Sequence, residues 1–136
     1  MNGYDQIWKQ TSFVVVDDNA QFRRLIFSFL RKFGADEVFE AGDAIQAYRI
    51  ACDKRIDFAL IDVAMEPMDG ISLARLLRTE KEVLNPDLTM ALITGHATAD
   101  VIKAARDLGI KDILTKTLSG KQLHDRVLRL IPRSEA

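Results

Sequence analysis

Two rhythms of apolar residues alternate along this chain. Short, mostly apolar runs occur at Phe13–Val16, Phe58–Ile61 and Leu88–Ile93. Runs of this length, bounded by polar residues, predict strands buried on both faces. Glu37–Glu40 and Asp112–Thr115 predict two shorter strands. Between them the period changes to that of helices. Phe22, Leu25, Ile26, Phe29, Leu30 and Phe33 form one amphipathic stripe, closed by Gly34. Phe27 lies off that stripe and is predicted to be exposed. Asp43 and Gln46 predict the start of a helix with Ala44, Ala47, Tyr48 and Ala51 on one side, and Cys52 is a small hydrophobe near that face. A helix over about 72–81 uses Ile71, Leu73, Leu76 and Leu77, and a loop over 82–87 contains Asn85-Pro86. Thr98 caps a helix with Val101, Ile102, Ala105 and Leu108 inward, closed by Gly109. Ser119 and Gln122 predict a capping box for a last helix with Leu123, Val127 and Leu130 inward, stopped by Pro132.

Five strands alternating with five helices predict right-handed crossovers, hence an α/β, doubly wound parallel sheet with helices on both faces. The domain is placed at 12–132. Residues 133–136 form a C-terminal tail, and residues 1–11 a partly ordered N-terminal extension, because a tail with no packing role seldom carries a tryptophan such as Trp8.

Composition narrows the function classes. A chain of 136 residues, 48% hydrophobic and 29% charged, is an ordinary one-domain globule. Nineteen basic against twenty acidic residues leave a net charge of −1, no field for nucleic acid or an anionic membrane. Cys52 is the single cysteine and the histidines are two, so neither an internal disulfide nor a zinc cluster is expected. Neither a membrane span nor a signal pattern is legible, and a cytoplasmic location is the expectation.

The chemistry sits where strands end. In a parallel sheet all carboxyl ends share one edge, where such folds bind ligands. Asp17-Asp18 follow the first strand, Asp62 the third, Thr94 the fourth and Lys116 the fifth. Each alone has a bland reading: a helix cap, a strand terminus, a turn residue, a solvated lysine. Together they bring three carboxylates and one ammonium to one edge, a formal −2 that a bound divalent cation neutralises. The donors are all oxygens, so Mg²⁺ (or Mn²⁺) suits them, with positions left for water and a phosphoryl oxygen.

Val-Asp17-Asp18, Asp62-x-x-Met65 with Met68-Asp69-Gly70, Thr94-Gly95 and Lys116 occur in the order and spacing of a known family. Over about residues 12–131 the chain resembles the receiver domain of two-component response regulators. The resemblance implies the flavodoxin-like strand order 2-1-3-4-5. It implies that Asp62 accepts a phosphoryl group from a histidine kinase or a histidine phosphotransfer protein. On the same resemblance, Asp18 and Asp62 are expected to ligate Mg²⁺ directly, Asp17 mostly through water, and Ala64 through its backbone carbonyl. Thr94 hydrogen-bonds the phosphoryl group and Lys116 pairs with it. His96 occupies a position that tunes phosphoryl lifetime, with an exposed loop histidine as its plain alternative; His124 is read as a surface residue. Phe22, Leu25 and Phe27 contribute to the kinase-docking surface. The output face lies on the helix over 98–108, the fifth strand, where Ile113 sits, and the last helix.

Three departures from the family pattern stand out. Thr117, not proline, follows Lys116, which predicts a trans bond there. Ile113 replaces the family's aromatic switch residue. Pro67 falls five residues after Asp62, with Glu66 in the usual place. The expected function is that of a single-domain response regulator acting by protein docking or phosphorelay, with self-catalysed phosphoryl transfer and hydrolysis only. The alternatives are a pseudo-receiver adaptor and a haloacid-dehalogenase-like phosphatase. The latter's nucleophile belongs on the first strand with a second aspartate two residues on, where this chain has Ala64.

Overall fold

A computed structural model describes residues 3–132. The C-terminal tail assigned to 133–136 lies outside them. Its elements are α1 (Gly3–Gln10), β1 (Ser12–Val16), α2 (Ala20–Phe33), β2 (Glu37–Ala41), α3 (Ala44–Asp53), β3 (Phe58–Asp62), α4 (Gly70–Thr79), β4 (Thr89–Thr94), α5 (Ala99–Asp107), β5 (Asp112–Thr115) and α6 (Gly120–Leu130). The five strands form one parallel sheet in the order β2-β1-β3-β4-β5. The expected fold class and strand order are those observed.

Alternation along the strands divides the core into two layers, since successive strand residues point to opposite faces. Val14, Val16, Ala59, Ile61, Met90 and Leu92 pack with the alanines of α3 and with Leu73, Leu77 and Ala105. Phe13, Val15, Phe58, Leu60, Ala91 and Ile93 pack with Ile26 and Leu30 of α2, Leu123 and Val127 of α6, and Trp8 of α1. The layer against α3 is built largely from alanines, whereas the layer against α2 and α6 holds the aromatic rings of Trp8, Phe13 and Phe58.

Local chemistry sets the helix ends. The side chains of Asn19, Asp43, Asp69, Thr98 and Ser119 each accept a hydrogen bond from the backbone N–H three residues on. At α6 Gln122 returns the bond, completing the capping box; at α3 Gln46 reaches instead to the N–H of Gly42. Gly34 ends α2 at φ 120°, in the region that favours glycine.

Several expectations need correction. Leu25 is 48% exposed. At 100° per residue it lies about 120° round from the direction midway between Ile26 and Leu30, too far to reach the sheet. Phe27, about 80° round on the other side, is half-buried, with the Arg24 guanidinium 4.6 Å from its ring centroid. Ile102 is 42% exposed, on the flank of α5 rather than its inner face. His124 is not a plain surface residue. Its ring stacks on Trp8 at 5.4 Å and meets the edge of Phe33 at 4.9 Å. Helix α4 starts two residues earlier than expected, at Gly70.

Within the N-terminal extension Gly3–Gln10 is helical, and Trp8 is 1% exposed against Phe13, Phe33 and His124. Among the described residues the cis peptide bond is Glu66–Pro67, and Lys116–Thr117 is trans.

Candidate functional site at the carboxyl edge of the sheet

Asp17 directly follows β1 and Asp62 ends β3, so neighbouring parallel strands deliver two carboxylates to the same edge. Each is 1% exposed. Asp18, exposed, joins them: one carboxylate oxygen from each of the three lies within 4.8 Å of the others. Lys116, just beyond β5, reaches back over the edge. Its Nζ is 3.2 Å from Asp17 Oδ2 and 3.5 Å from Asp62 Oδ1. Its backbone N–H donates to the Thr94 carbonyl, which ties its loop to the end of β4. The Phe22 ring lies beneath the ammonium at 4.9 Å, a cation–π contact from the first turn of α2.

Hydrogen bonding divides these carboxylates unevenly. Asp17 Oδ1 accepts from the N–H of Asn19 at 2.8 Å. Asp17 Oδ2 and both oxygens of Asp62 are buried with no hydrogen bond. Buried polar atoms are ordinarily satisfied; here Asp17 Oδ2 and Asp62 Oδ1 have only the shared Lys116 ammonium and Asp62 Oδ2 has no hydrogen bond, so the cluster asks for a further partner. Burial, then the Asp17 charge, push the Asp62 carboxyl up to about 6, against the opposing pull of Lys116. Burial alone lowers the Lys116 pKa, but Asp17 and Asp62 outweigh it and raise the ammonium above its ordinary value. Orphaned, all-oxygen, net-negative donors fit a hard divalent cation.

Thr94 is 6% exposed at the end of β4. Its hydroxyl lies 3.1 Å from the His96 carbonyl, to which it donates, and 3.2 Å from the His96 N–H, from which it accepts. The 94–96 loop is thus folded on itself, with the His96 side chain exposed. Ala64 is exposed in the loop after Asp62. Ile113 is not brought to this edge; it is half-buried in a groove of about 490 Å³ with Ala97, Ile102, Ala105 and Arg106.

Two contributions were missed in the sequence. Gly70 was noted only as part of a motif. Its N–H donates to the Val63 carbonyl at 2.9 Å, and a Cβ there would stand 2.2 Å from the Asp62 carbonyl oxygen. Only glycine lets α4 begin this close to the Asp62 backbone. The second is the Phe22 ring under Lys116, since no spacing rule links residues so far apart in the chain.

The geometry defines a class: a flavodoxin-like α/β domain with two buried aspartates, a third exposed one and a lysine at its carboxyl edge. Residues 13–128 match the response regulator receiver domain, and the chain belongs to that family. It is a signalling domain of two-component systems. The chain is 28% identical over 120 residues to the chemotaxis protein CheY of Pseudomonas aeruginosa, covering 88% of this chain and 95% of that one. It is 25% identical over 119 residues to sporulation initiation phosphotransferase F of Bacillus subtilis, covering 88% and 92%. In structure it is similar to Vibrio cholerae chemotaxis protein CheY4, with a TM-score of 0.82 at 21% identity over 89% of this chain and 98% of that one. No helix among the described residues is long and apolar enough to cross a membrane.

Proposed function

We propose that Asp62 accepts a phosphoryl group from the phosphohistidine of a histidine kinase or histidine phosphotransfer protein. The observation that carries this reading is the pair of buried Asp62 oxygens with no hydrogen bond, at the edge where Asp17, Asp18 and Lys116 converge. A carboxyl that titrates at about 6 is mainly ionised at neutral pH and serves as a nucleophile. One Asp62 oxygen attacks phosphorus as the bond to the donor imidazole nitrogen breaks.

Asp18, Asp62 and the Ala64 carbonyl would hold Mg²⁺ (or Mn²⁺), with Asp17 acting chiefly through water. When bound, the cation offsets charge on the transferring oxygens. Lys116 does the same from the other side and is already within reach of Asp62. The hydroxyl of Thr94 has one proton, now given to the His96 carbonyl. Turning it to a phosphoryl oxygen breaks that bond and opens the 94–96 loop, which supplies a two-state element for signalling. His96 sits on that loop and influences water access to the acyl phosphate. Phe22, under Lys116, and the exposed Leu25 on the same side of α2 form the surface for the phosphoryl donor, whereas Phe27 lies round the helix beneath Arg24. Readout passes to a protein partner through the face that carries Ile113, with no aromatic ring at that position.

Incubation with acetyl phosphate and Mg²⁺, followed by intact mass measurement, tests this. Wild type gains one phosphoryl group and Asp62→Asn gains none. No gain in wild type leaves the non-phosphorylated adaptor as the reading; equal gain in Asp62→Asn moves the acceptor elsewhere.

A further inference from the structure

We infer that Arg23 is a positioning residue for the cation site, acting through the main chain of Asp17; this rests on the reading above. Asp17 lies one residue beyond β1. Its N–H still finds a sheet partner, the Ala41 carbonyl at 3.1 Å. Its own carbonyl has run past the ladder and needs a donor from elsewhere. Arg23 Nη1 supplies one at 2.8 Å.

Arg23 is itself held. Its Nε donates to Glu40 Oε1 at 3.1 Å, from β2, the strand that pairs with β1. Its side chain is 21% exposed. The carbonyl that Arg23 grips belongs to the peptide joining Asp17 to Asp18. Fixing that peptide fixes the direction in which both carboxylates leave the strand. Asp17 is thereby clamped at its N–H by β2, at its carbonyl by Arg23 and at Oδ1 by Asn19. Groups that orient ligands in this way commonly change metal affinity about 10–100-fold when removed.

Arg24 provides the internal control. It also pairs with Glu40, and it covers Phe27, but no bond joins it to Asp17. The test is a Mg²⁺ titration of the full chain, followed by the amide resonances of Asp18 and Asp62, with unfolding midpoints in EDTA measured alongside. Arg23→Ala is expected to weaken Mg²⁺ roughly 10-fold, while Arg24→Ala changes it less than about twofold. Arg23→Lys, which keeps one donor and the charge, recovers most of the affinity. Glu40→Ala leaves Arg23 in place without its orienting partner, weakens Mg²⁺ by a smaller factor, and serves if Arg23→Ala does not fold. Wild-type affinity in Arg23→Ala or Glu40→Ala, or equal losses in Arg23→Ala and Arg24→Ala, overturns the inference while the functional reading stands. Failure of wild type to bind Mg²⁺ overturns both.

Discussion

Strands β1 and β3 carry an aspartate site at each end, and the two ends are built on opposite terms. At the amino edge Asp57, just before β3, meets Ser12 at the start of β1. The Ser12 N–H donates to Asp57 Oδ2 at 2.9 Å, the Asp57 N–H donates to Ser12 Oγ at 3.0 Å, and Ser12 Oγ donates to the Arg55 carbonyl at 2.7 Å. Around them Trp8, Phe13 and Phe58 close an apolar floor. Five residues on, roughly 16 Å along the same strands, Asp17 and Asp62 are more deeply buried than the half-buried Asp57, yet three of their oxygens have no hydrogen bond and only the Lys116 ammonium faces two of those. The same residue type on the same strands is thus a finished joint at one edge and an unfinished socket at the other. The half-buried carboxylate is satisfied and the fully buried ones are not, the reverse of what a purely structural role would require.

Substitutions can break this contrast, and the largest effect belongs to the floor. Trp8→Ala empties a fully buried ring site and should cost about 3–5 kcal/mol in denaturant unfolding, with phosphoryl uptake retained wherever the protein remains folded. A loss below about 1 kcal/mol would mean that α1 contributes little to the floor. Next come the two aspartates, which should move stability in opposite directions. Asp57→Ala leaves the Ser12 N–H without its acceptor and should destabilise by about 1–3 kcal/mol. Asp62→Asn removes a charge that the metal-free fold disfavours and should stabilise that form at pH 7 by roughly 2 kcal/mol.

The sign follows from the titration of Asp62. Its folded value, about 6, lies above the ordinary 3.8, so the native state holds the proton more tightly than the unfolded chain does. The contribution from this group is most favourable below pH 3.8. It is lost as pH rises through about 6 and stays absent above. Metal-free wild type should therefore show a downward component in stability over that interval that Asp62→Asn lacks. Identical pH profiles would remove the strained carboxylate from the account. The smallest effect concerns Trp8, which faces away from the socket. Its fluorescence should not respond to Mg²⁺, and a marked quench would place α1 near the wrong edge.

Strand runs and helix stripes made the sheet legible because each is a local pattern, and the parallel topology then carried Asp17, Asp18, Asp62, Thr94 and Lys116 to one edge. What local pattern could not give was rotation and long-range contact. The stripe on α2 includes Leu25, but which part of a wide stripe meets the sheet depends on how the helix docks. His124 looked like a surface residue because its partners, Trp8 and Phe33, come from two other helices. Gly70, the Phe22 ring under Lys116 and the Arg23 bond to Asp17 are likewise contacts between segments with no periodic signature.

The contrast between the two edges is tested most directly by the Mg²⁺ dependence of the unfolding midpoint of wild type, Asp57→Asn and Asp62→Asn at pH 7. With Mg²⁺ about tenfold above its dissociation constant, wild type should gain about 1.4 kcal/mol, roughly 5 °C in midpoint. Asp57→Asn should show the same gain from a lower starting point. Asp62→Asn should start higher and gain little. Equal gains in all three proteins, or none in wild type, would contradict the claim that the unsatisfied carboxylates at the carboxyl edge are held for a cation.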